Sequence, residues 1–229
     1  MTSSRQSGGD VFASFKAAFF DIDGTLVDSN EFHVVAWDET FRKHGRSVPR
    51  DNLRDQIGKG ADILIPSLFP DIREQEQRVL TDAHSEIFKS RFLKQVRPFQ
   101  HSSDLIRVLS ARGIKTMLVS SSDEIEVRHY VQLLGVVDDL GDTVSSEDVT
   151  RTKPAGDLFA VALDKAAVGA QDAIAIGDTP YDIEAAAKCK MRAIALRSGG
   201  FSEARLRAAG PIEIVMNIDA LFFALERPL

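Results

Sequence analysis

Short apolar runs recur along the chain, and each adjoins a segment whose hydrophobic residues have helical spacing. The first run precedes Asp21, and later runs begin near Lys115, Asp172 and Arg192. A continuous apolar run without alternation is typical of a parallel strand that is buried on both faces. Alternation of such strands with helices predicts an α/β fold in which helices cover both faces of a parallel sheet.

The pattern changes after the first of these strands, where apolar residues recur at helical spacing and no strand-like run intervenes. These apolar positions are Phe32, Val35, Ala36, Phe41, Val79, Ala83, Ile87 and Phe88. Residues three or four apart form one face of a helix, so a helical insertion is predicted. The N-terminal residues are rich in Ser, Gly and Gln, which is typical of a flexible leader. We therefore divide the chain into a leader over 1–12, a core over 13–30 and 99–229, and a helical insertion over 31–98.

Composition and charge narrow the class of protein. The chain has 229 residues, 44% of them hydrophobic, and a net charge of −6. Its basic residues are scattered, which argues against nucleic acid or an anionic membrane as a partner. No apolar run approaches the roughly 20 residues of a membrane-spanning helix. The single cysteine, Cys189, excludes an internal disulfide, and the first residues lack a secretory signal pattern, so a cytoplasmic location is expected. A monomer and a homodimer are both compatible with the sequence.

Two acids follow the first strand, at the place where ligand sites of open parallel sheets lie. Residues two apart in an extended segment project the same way, so Asp21 and Asp23 are expected together at the carboxyl end of this strand. Their carboxylates repel each other unless a cation or a shared proton compensates. Gly24 permits a sharp turn and a close backbone approach to a ligand. The alternative is an acidic strand-to-turn junction without function.

The longer string Asp21-Ile-Asp-Gly-Thr-Leu-Val-Asp-Ser29 resembles the first motif of the haloacid dehalogenase-like superfamily. The resemblance implies a Rossmann-like core, with Asp21 as the nucleophile and Asp23 as the general acid and base. It also implies substrate contacts from Gly24 and Thr25. Dehalogenases of the superfamily lack the second acid, so the presence of Asp23 favours a phosphohydrolase.

Two further motifs follow later strands. Ser120-Ser-Ser lies where a hydroxyl and backbone N–H groups can bond a phosphoryl oxygen. It resembles the second motif of the superfamily, with Ser120 catalytic and Ser121 and Ser122 in contact with substrate. Lys153-Pro resembles the third motif, whose lysine neutralises charge on the nucleophile and the phosphoryl group. Apart from the resemblance, serines after a strand are usually turn residues, and an isolated lysine is usually a solvated charge.

The string Asp178-Thr-Pro-Tyr-Asp182, preceded by an apolar run, resembles the fourth motif. Thr179 can cap a helix and Pro180 can begin it, which puts Asp182 in the first turn near Asp178. The alternative is a helix N-terminus decorated with acids that favour the helix dipole. That alternative explains Asp182 well and Asp178 poorly.

The four motifs together imply a metal and a reaction. Oxygen atoms of Asp21 and Asp178, with the backbone carbonyl of Asp23, form a set suited to Mg²⁺, and Asp182 either ligates the ion or lies just behind its ligands. A phosphate dianion repels a carboxylate nucleophile, so Mg²⁺ and Lys153 are expected to screen this repulsion. The predicted activity is hydrolysis of small-metabolite phosphate monoesters through an aspartyl-phosphate intermediate. The alternatives are a phosphomutase acting on a sugar phosphate and a catalytically silent binding protein with the same fold.

The helical insertion resembles the cap of the phosphoglycolate phosphatase and β-phosphoglucomutase branch of the superfamily. Caps of this kind close over the site and exclude water. His33 resembles a cap histidine that faces the site, and Lys59, in the loop Gly58-Lys-Gly-Ala-Asp62, resembles a specificity residue that attracts an anionic substrate. A structural histidine and a solvated lysine in a cap turn are the alternatives. The arginine-containing loop of β-phosphoglucomutase has no convincing match here, which disfavours a mutase.

Overall fold

The computed structural model describes residues 11–226, in which six strands form one sheet. In chain order the strands are β1 (Ala17–Phe20), β2 (Lys115–Val119), β3 (Asp142–Val144), β4 (Ala173–Gly177), β5 (Arg192–Leu196) and β6 (Glu213–Val215). Their order across the sheet is β3-β2-β1-β4-β5-β6, and all neighbouring strands are parallel. The predicted α/β fold with a Rossmann-like parallel sheet is confirmed, and the four predicted apolar runs form its central strands.

Helices cover both faces of the sheet. Within residues 11–226 the helices are α1 (Asn30–Lys43), α2 (Arg50–Arg54), α3 (Ala61–Leu68), α4 (Glu74–Arg91), α5 (Ser102–Ala111), α6 (Glu124–Leu134), α7 (Asp157–Ala166), α8 (Pro180–Lys188), α9 (Glu203–Ala208) and α10 (Ile218–Glu226). Alternate residues of a strand point to opposite faces. Ala18 and Phe20 of β1 therefore pack with α5, α6 and α10, whereas Ala17 and Phe19 pack with α7, α8 and α9. In the described part of the chain, every helix is too short or too polar to span a bilayer.

The helices α1 to α4 occupy the chain between β1 and β2, where a helical pattern was predicted. They share a hydrophobic cluster of their own, which includes Trp37, Phe41, Leu64 and Leu80. Among the residues described between 30 and 95, none belongs to a strand of the sheet. The segment also contributes Ala36, Ile87 and Phe88 to the cluster that contains Phe20, so it has a hydrophobic cluster of its own and also packs against the core of the sheet.

The predicted leader over 1–12 is wrong at its C-terminal end. The side chain of Phe12 is fully buried and belongs to the same hydrophobic cluster as Phe20. Its carbonyl accepts a hydrogen bond from the Phe15 N–H at 2.9 Å. Transfer of an aromatic ring from water to the core lowers the free energy, so Phe12 is buried although it directly follows the polar N-terminal residues. The rest of the predicted leader, over 1–10, lies outside the described residues.

The carboxyl ends of β1, β2 and β4 lie side by side because these strands are adjacent and parallel. Backbone hydrogen bonds continue one residue beyond two of them. The Asp21 N–H donates to the Ile176 carbonyl, and the Ser120 N–H donates to the Val144 carbonyl, both at 2.9 Å. This edge of the sheet gathers Asp21, Ser120 and Asp178, each of which directly follows a strand.

Candidate active site

A buried ion-pair cluster joins three of the predicted motifs at this edge. Lys153 Nζ lies 2.5 Å from Asp21 Oδ1 and 2.7 Å from Asp182 Oδ1. It also donates a hydrogen bond to the carbonyl of Val119, the last residue of β2, at 2.7 Å. Lys153 is 0% exposed, so these carboxylates, and not water, compensate its charge. The lysine of the third motif therefore contacts the acid of the first.

Burial and mutual repulsion oppose ionisation of the carboxylates in this cluster. Burial, followed by repulsion from Asp182, raises the pKa of Asp21 well above its ordinary value, although Lys153 acts in the opposite direction. Burial and repulsion from Asp182 also raise the pKa of Asp178 to about 7. Burial favours the neutral form of Lys153, but attraction to Asp182 and Asp21 outweighs it and raises the pKa of this lysine. The single positive charge of Lys153 therefore does not balance the negative charges of Asp21, Asp178 and Asp182.

A reciprocal capping arrangement at the start of α8 fixes Asp182. The Asp182 N–H donates to Thr179 Oγ1 at 3.3 Å, and Asp182 Oδ2 accepts from the Thr179 N–H at 3.1 Å and from its hydroxyl at 2.7 Å. Pro180 begins the helix, as predicted. Because Thr179 bonds Oδ2 and Lys153 pairs with Oδ1, both carboxylate oxygens of Asp182 have protein partners.

The Asp178 carboxylate is held by the motif that follows β1. Its Oδ1 accepts from Thr25 Oγ1 at 2.8 Å, and its Oδ2 accepts from Asn30 Nδ2 at 3.1 Å. The other amide atom, Asn30 Oδ1, is buried and has no hydrogen-bond partner among residues 11–226. Thr25 and Asn30 thereby fix the position of Asp178 beside the first motif.

The acids of the cluster fit a divalent cation. Carboxylate oxygens of Asp21, Asp178 and Asp182 lie within 4.8 Å of one another, and all three side chains are buried. Carboxylates whose pKa is raised by burial and repulsion are stabilised in their charged form by a cation. Oxygen donors of this kind suit Mg²⁺ better than softer metals. The residues present therefore agree with the predicted Mg²⁺ site.

Side chains of Ser29, His33 and Ser122 hold the Asp23 carboxylate. Its Oδ1 accepts from Ser29 Oγ at 2.6 Å and lies 3.2 Å from His33 Nε2, and its Oδ2 accepts from Ser122 Oγ at 2.9 Å. Burial favours the neutral acid, but attraction to His33 and these hydrogen bonds outweigh it and lower the pKa of Asp23 to about 2. Burial opposes a charge on His33, but attraction to Asp23 raises its pKa above the ordinary value. Asp23 is therefore ionised, and His33 keeps a proton to a higher pH than usual.

The three serines after β2 line one cavity but make different contacts. Ser120 is 1% exposed, and its Oγ accepts from the Ser122 N–H at 3.0 Å. Ser121 Oγ donates to the carbonyl of Gly58 at 3.5 Å. The serine motif therefore joins the acidic edge of the sheet to the loop before α3.

The cavity, of about 230 Å³, lies between the motif residues and the helices α1, α3 and α4. Lys59 lines it, but Lys59 Nζ donates to Gln56 Oε1 at 2.6 Å and to Ser67 Oγ at 3.2 Å. The same atom lies 4.7 Å from the centre of the Tyr181 ring. Burial is the main cause of the lowered pKa of Lys59. The ammonium group that was expected to attract an anionic substrate is thus bound by its neighbours.

The loop before α3 is attached to the core next to Lys153. Asp62 Oδ2 accepts from the Thr152 N–H at 2.9 Å, and Asp62 Oδ1 accepts from the Thr152 hydroxyl at 2.5 Å. The Gly60 N–H donates to Thr152 Oγ1 at 3.0 Å. Since Thr152 directly precedes Lys153, this contact links the helical segment to the buried lysine.

Sequence reasoning does not identify four residues that line or support the site. They are Asn30, His84, Glu126 and Thr152. Asn30 and Thr152 adjoin residues of recognised motifs, and that position is the one signal by which they could be found. His84 and Glu126 lie on helices outside any motif, so their local pattern does not distinguish them from other polar helix residues.

Gly24 is expected to tolerate no side chain. Its φ is +78°, and a Cβ atom there would lie 2.2 Å from both Asn30 Nδ2 and an oxygen of Asp178. Gly113 is a matched control, because its φ is also +78° but a Cβ atom there meets nothing within 4 Å. Beyond the shared backbone strain, Gly24→Ala should lose about 1 to 3 kcal/mol more than Gly113→Ala from crowding. Urea unfolding of both variants measures the difference, and equal losses would contradict the crowding argument.

Comparison with known proteins agrees with these motifs. Residues 18–196 match the family described as haloacid dehalogenase-like hydrolase. The chain is 26% identical over 216 residues to a phosphoglycolate phosphatase of Rhodospirillum rubrum, which covers 90% of this chain and 89% of that protein. It is 24% identical over 242 residues to a phosphoglycolate phosphatase of Escherichia coli (strain K12), with 95% of each chain covered. The crystal structure of a hydrolase from Pseudomonas syringae matches with a TM-score of 0.87 at 25% identity, over 93% of this chain and 98% of that one. Because the family match spans most of the sequence, this protein belongs to the haloacid dehalogenase-like hydrolase family.

Proposed function

We propose that this protein is a phosphatase that hydrolyses phosphate monoesters of small metabolites through a covalent aspartyl phosphate on Asp21. The 2.5 Å contact between Lys153 Nζ and Asp21 Oδ1, in a buried cluster of acids, carries the proposal. A carboxylate that attacks a phosphate dianion needs positive charge beside it, and this arrangement supplies it. Two similar proteins that bear the name phosphoglycolate phosphatase also support a phosphatase.

Asp21 attacks phosphorus in the first half of the proposed reaction. Among residues 11–226, Lys153 is the one group that hydrogen-bonds the Asp21 carboxylate, and it binds Oδ1, so Oδ2 is available for the new bond. As the oxygen–phosphorus bond forms, the ester bond breaks and the leaving oxygen takes a proton. Water then attacks the phosphorus of the aspartyl phosphate, releasing inorganic phosphate and restoring the carboxylate.

Asp23 and His33 together hold the proton that the leaving oxygen takes. In the free site the pKa of Asp23 is about 2 and that of His33 is raised, so the proton resides on the histidine. A bound phosphate dianion adds negative charge, which increases the proton affinity of Asp23 and favours transfer from His33. Asp23 then serves as the general acid for the leaving group and as the general base for water.

The serine motif and the turn at Gly24 are proposed to bind the phosphoryl group. Ser120 lies beside the nucleophile strand, and Ser121 and Ser122 line the cavity, where their hydroxyl and N–H groups can bond phosphoryl oxygens. The Thr25 hydroxyl instead donates to Asp178. We therefore assign Thr25 to positioning of that carboxylate.

Mg²⁺ is the proposed cofactor. Asp21, Asp178 and the backbone carbonyl of Asp23 would hold it. Asp182, whose carboxylate oxygens already have protein partners, would act through Lys153. When bound, the ion supplies positive charge that screens the phosphoryl oxygens from the nucleophile.

The helical segment over 31–98 is proposed to act as a cap. Its own hydrophobic cluster supports this role, and His33, Lys59 and Asp62 line the cavity from its side. Opening would admit substrate, and closure would exclude water from the aspartyl phosphate before hydrolysis. The role of Lys59 in attracting an anionic substrate stays a prediction.

Hydrolysis of p-nitrophenyl phosphate with Mg²⁺, followed by a panel of metabolite phosphates, tests the proposed activity. Phosphate release and mass spectrometry of the acid-quenched peptide that contains Asp21 should show turnover and a phosphorylated aspartate. If every ester stays intact, the protein is not a phosphatase. Isomerisation of a sugar phosphate without phosphate release would instead identify a mutase.

Removal of divalent cations is expected to stop turnover and to lower the free energy of unfolding. The buried acids of the cluster repel one another, and an ion present at about 100 times its Kd adds about 2.7 kcal/mol of stability. Excess chelator should silence the enzyme and Mg²⁺ should restore it, whereas Ca²⁺, with its larger and looser coordination, should restore little. Thermal unfolding and p-nitrophenyl phosphate hydrolysis, measured in parallel, check both effects. Full activity in excess chelator would contradict the metal site.

A further inference from the structure

The proposed chemistry leaves one wall of the cavity without a role. We call it the Glu126 wall, and it consists of Trp37, His84, Ser85 and Glu126 from α1, α4 and α6. Glu126 is 4% exposed but lines the cavity. Its backbone N–H bonds Asp123, yet no group between residues 11 and 226 hydrogen-bonds its carboxyl group. Because Glu126 lines the cavity and its carboxyl group has no hydrogen-bond partner among these residues, the group is available to a ligand.

His84 adds a neutral hydrogen-bonding group to this wall. Its ring lies face to face with that of Trp37, with centres 3.9 Å apart, and its Nε2 lies 3.5 Å from His33 Nδ1. Burial, followed by repulsion from His33, lowers the pKa of His84 well below its ordinary value. His33 Nδ1 and His84 Nε2 face each other, so one of the two ring nitrogens donates to the other. His84 therefore adds a polar ring and no positive charge to this wall.

The described residues that line the cavity offer no free lysine or arginine to an acidic leaving group. Lys59 is the one lysine or arginine that lines it in the part of the chain that the structure describes, and its ammonium bonds Gln56 and Ser67. Burial raises the pKa of Glu126 to about 7, although attraction to His33 opposes the rise. The wall already disfavours the negative charge of Glu126, so a second negative charge beside it, on the leaving group, is more unfavourable still.

We infer that Glu126 is a specificity-determining residue that admits an uncharged, hydroxyl-bearing alcohol and excludes one that carries a carboxylate. The inference rests on the proposed phosphatase function. A hydroxyl group donates to the Glu126 carboxyl group, and it can donate to or accept from a ring nitrogen of His84. A carboxylate has no proton to donate to Glu126 and repels its negative charge in a buried site. The phosphate ester of a polyol therefore fits the cavity, and phosphoglycolate does not.

Values of kcat/KM for glycerol 3-phosphate, phosphoglycolate and ethanolamine phosphate test the inference, with p-nitrophenyl phosphate as a generic ester. We expect glycerol 3-phosphate to be preferred over phosphoglycolate by about tenfold or more. Glu126→Gln keeps the size of the side chain and removes its charge, so this ratio should fall by about tenfold. Glu124→Gln is the matched control, because Glu124 lies on the same helix but is 56% exposed and pairs with Arg128. The control should leave the ratio unchanged.

Four results would overturn the inference while p-nitrophenyl phosphate is still hydrolysed. They are a preference of the unaltered protein for phosphoglycolate, a preference for ethanolamine phosphate, an unchanged ratio in Glu126→Gln, and a loss confined to phosphoglycolate in Lys59→Ala. The last result would show that the Lys59 ammonium leaves its partners to bind a carboxylate. If none of the esters is hydrolysed, including p-nitrophenyl phosphate, the proposed function fails and this inference fails with it.

Discussion

Asp21→Asn is expected to lower kcat by at least about 10³-fold, because the neutral amide cannot form an acyl phosphate. In the metal-free protein the same change is expected to leave the free energy of unfolding equal or higher. Burial and neighbouring acids raise the pKa of Asp21 well above its ordinary value, so charge at this position is destabilising. Asparagine removes that charge and keeps the shape of the side chain.

Turnover of p-nitrophenyl phosphate and urea unfolding, measured on the same preparation, separate chemistry from fold. Asp28→Asn is the matched control, because Asp28 belongs to the same motif string but is exposed, and it should keep both values. A large loss of stability in Asp21→Asn would mean that turnover fell because the site unfolded. Turnover within about tenfold of the unaltered protein, with contaminating phosphatase excluded, would contradict the covalent mechanism.

The central strands can be predicted from the sequence because both of their faces are buried. All four residues of β1 are buried, so the strand has the continuous apolar pattern of a parallel sheet. The edge strands β3 and β6 have three residues each and begin with exposed acids, Asp142 and Glu213. A segment this short carries no periodicity, and its pairing depends on the neighbouring strand, so local pattern cannot reveal it.

The acidic edge of the site could also be predicted from the sequence, because it follows from the parallel sheet. Parallel strands bring their carboxyl ends together, so residues that follow different strands are expected to meet, as Asp21 and Asp178 do. The contact of Asp62 with Thr152 joins positions 90 apart in sequence. The position of Glu126 in the cavity depends on how α6 packs. Contacts of this kind follow from tertiary packing, which one sequence does not specify locally.

Lys59 shows a related limit of motif reasoning. A lysine in a glycine-bounded loop was expected to attract an anionic substrate, but its ammonium is bound by Gln56 and Ser67. The local sequence therefore predicted a positive charge but not whether that charge is free to bind a substrate. The ammonium of Lys153 also has protein partners, but these are the buried carboxylates of Asp21 and Asp182. Replacement of Lys153 is therefore expected to have a much larger effect than replacement of Lys59.

Lys153→Ala is expected to lower the free energy of unfolding by about 3 to 5 kcal/mol, because it leaves buried acids without their cation. It should also lower kcat by about 10²-fold or more on every phosphate ester, since the lysine would stabilise charge on the transferring phosphoryl group. The lysine is 0% exposed and lies between Asp21 and Asp182. Water therefore cannot replace it without opening the site.

The pH dependence of this loss identifies its electrostatic origin. Without Lys153, the folded-state pKa of Asp21 rises further above its ordinary value of 3.8. Between these two values the unfolded chain releases a proton that the folded protein keeps, so stability falls as pH rises. Urea unfolding of the metal-free variant at pH 5 and pH 7 should therefore show the larger loss at pH 7.

Lys165→Ala is the control: Lys165 is 32% exposed and lies 3.2 Å from Asp148. It should lose less than about 1 kcal/mol, with little pH dependence. A loss in Lys153→Ala as small as in the control, or one that shrinks as pH rises, would contradict a buried, charge-balancing lysine.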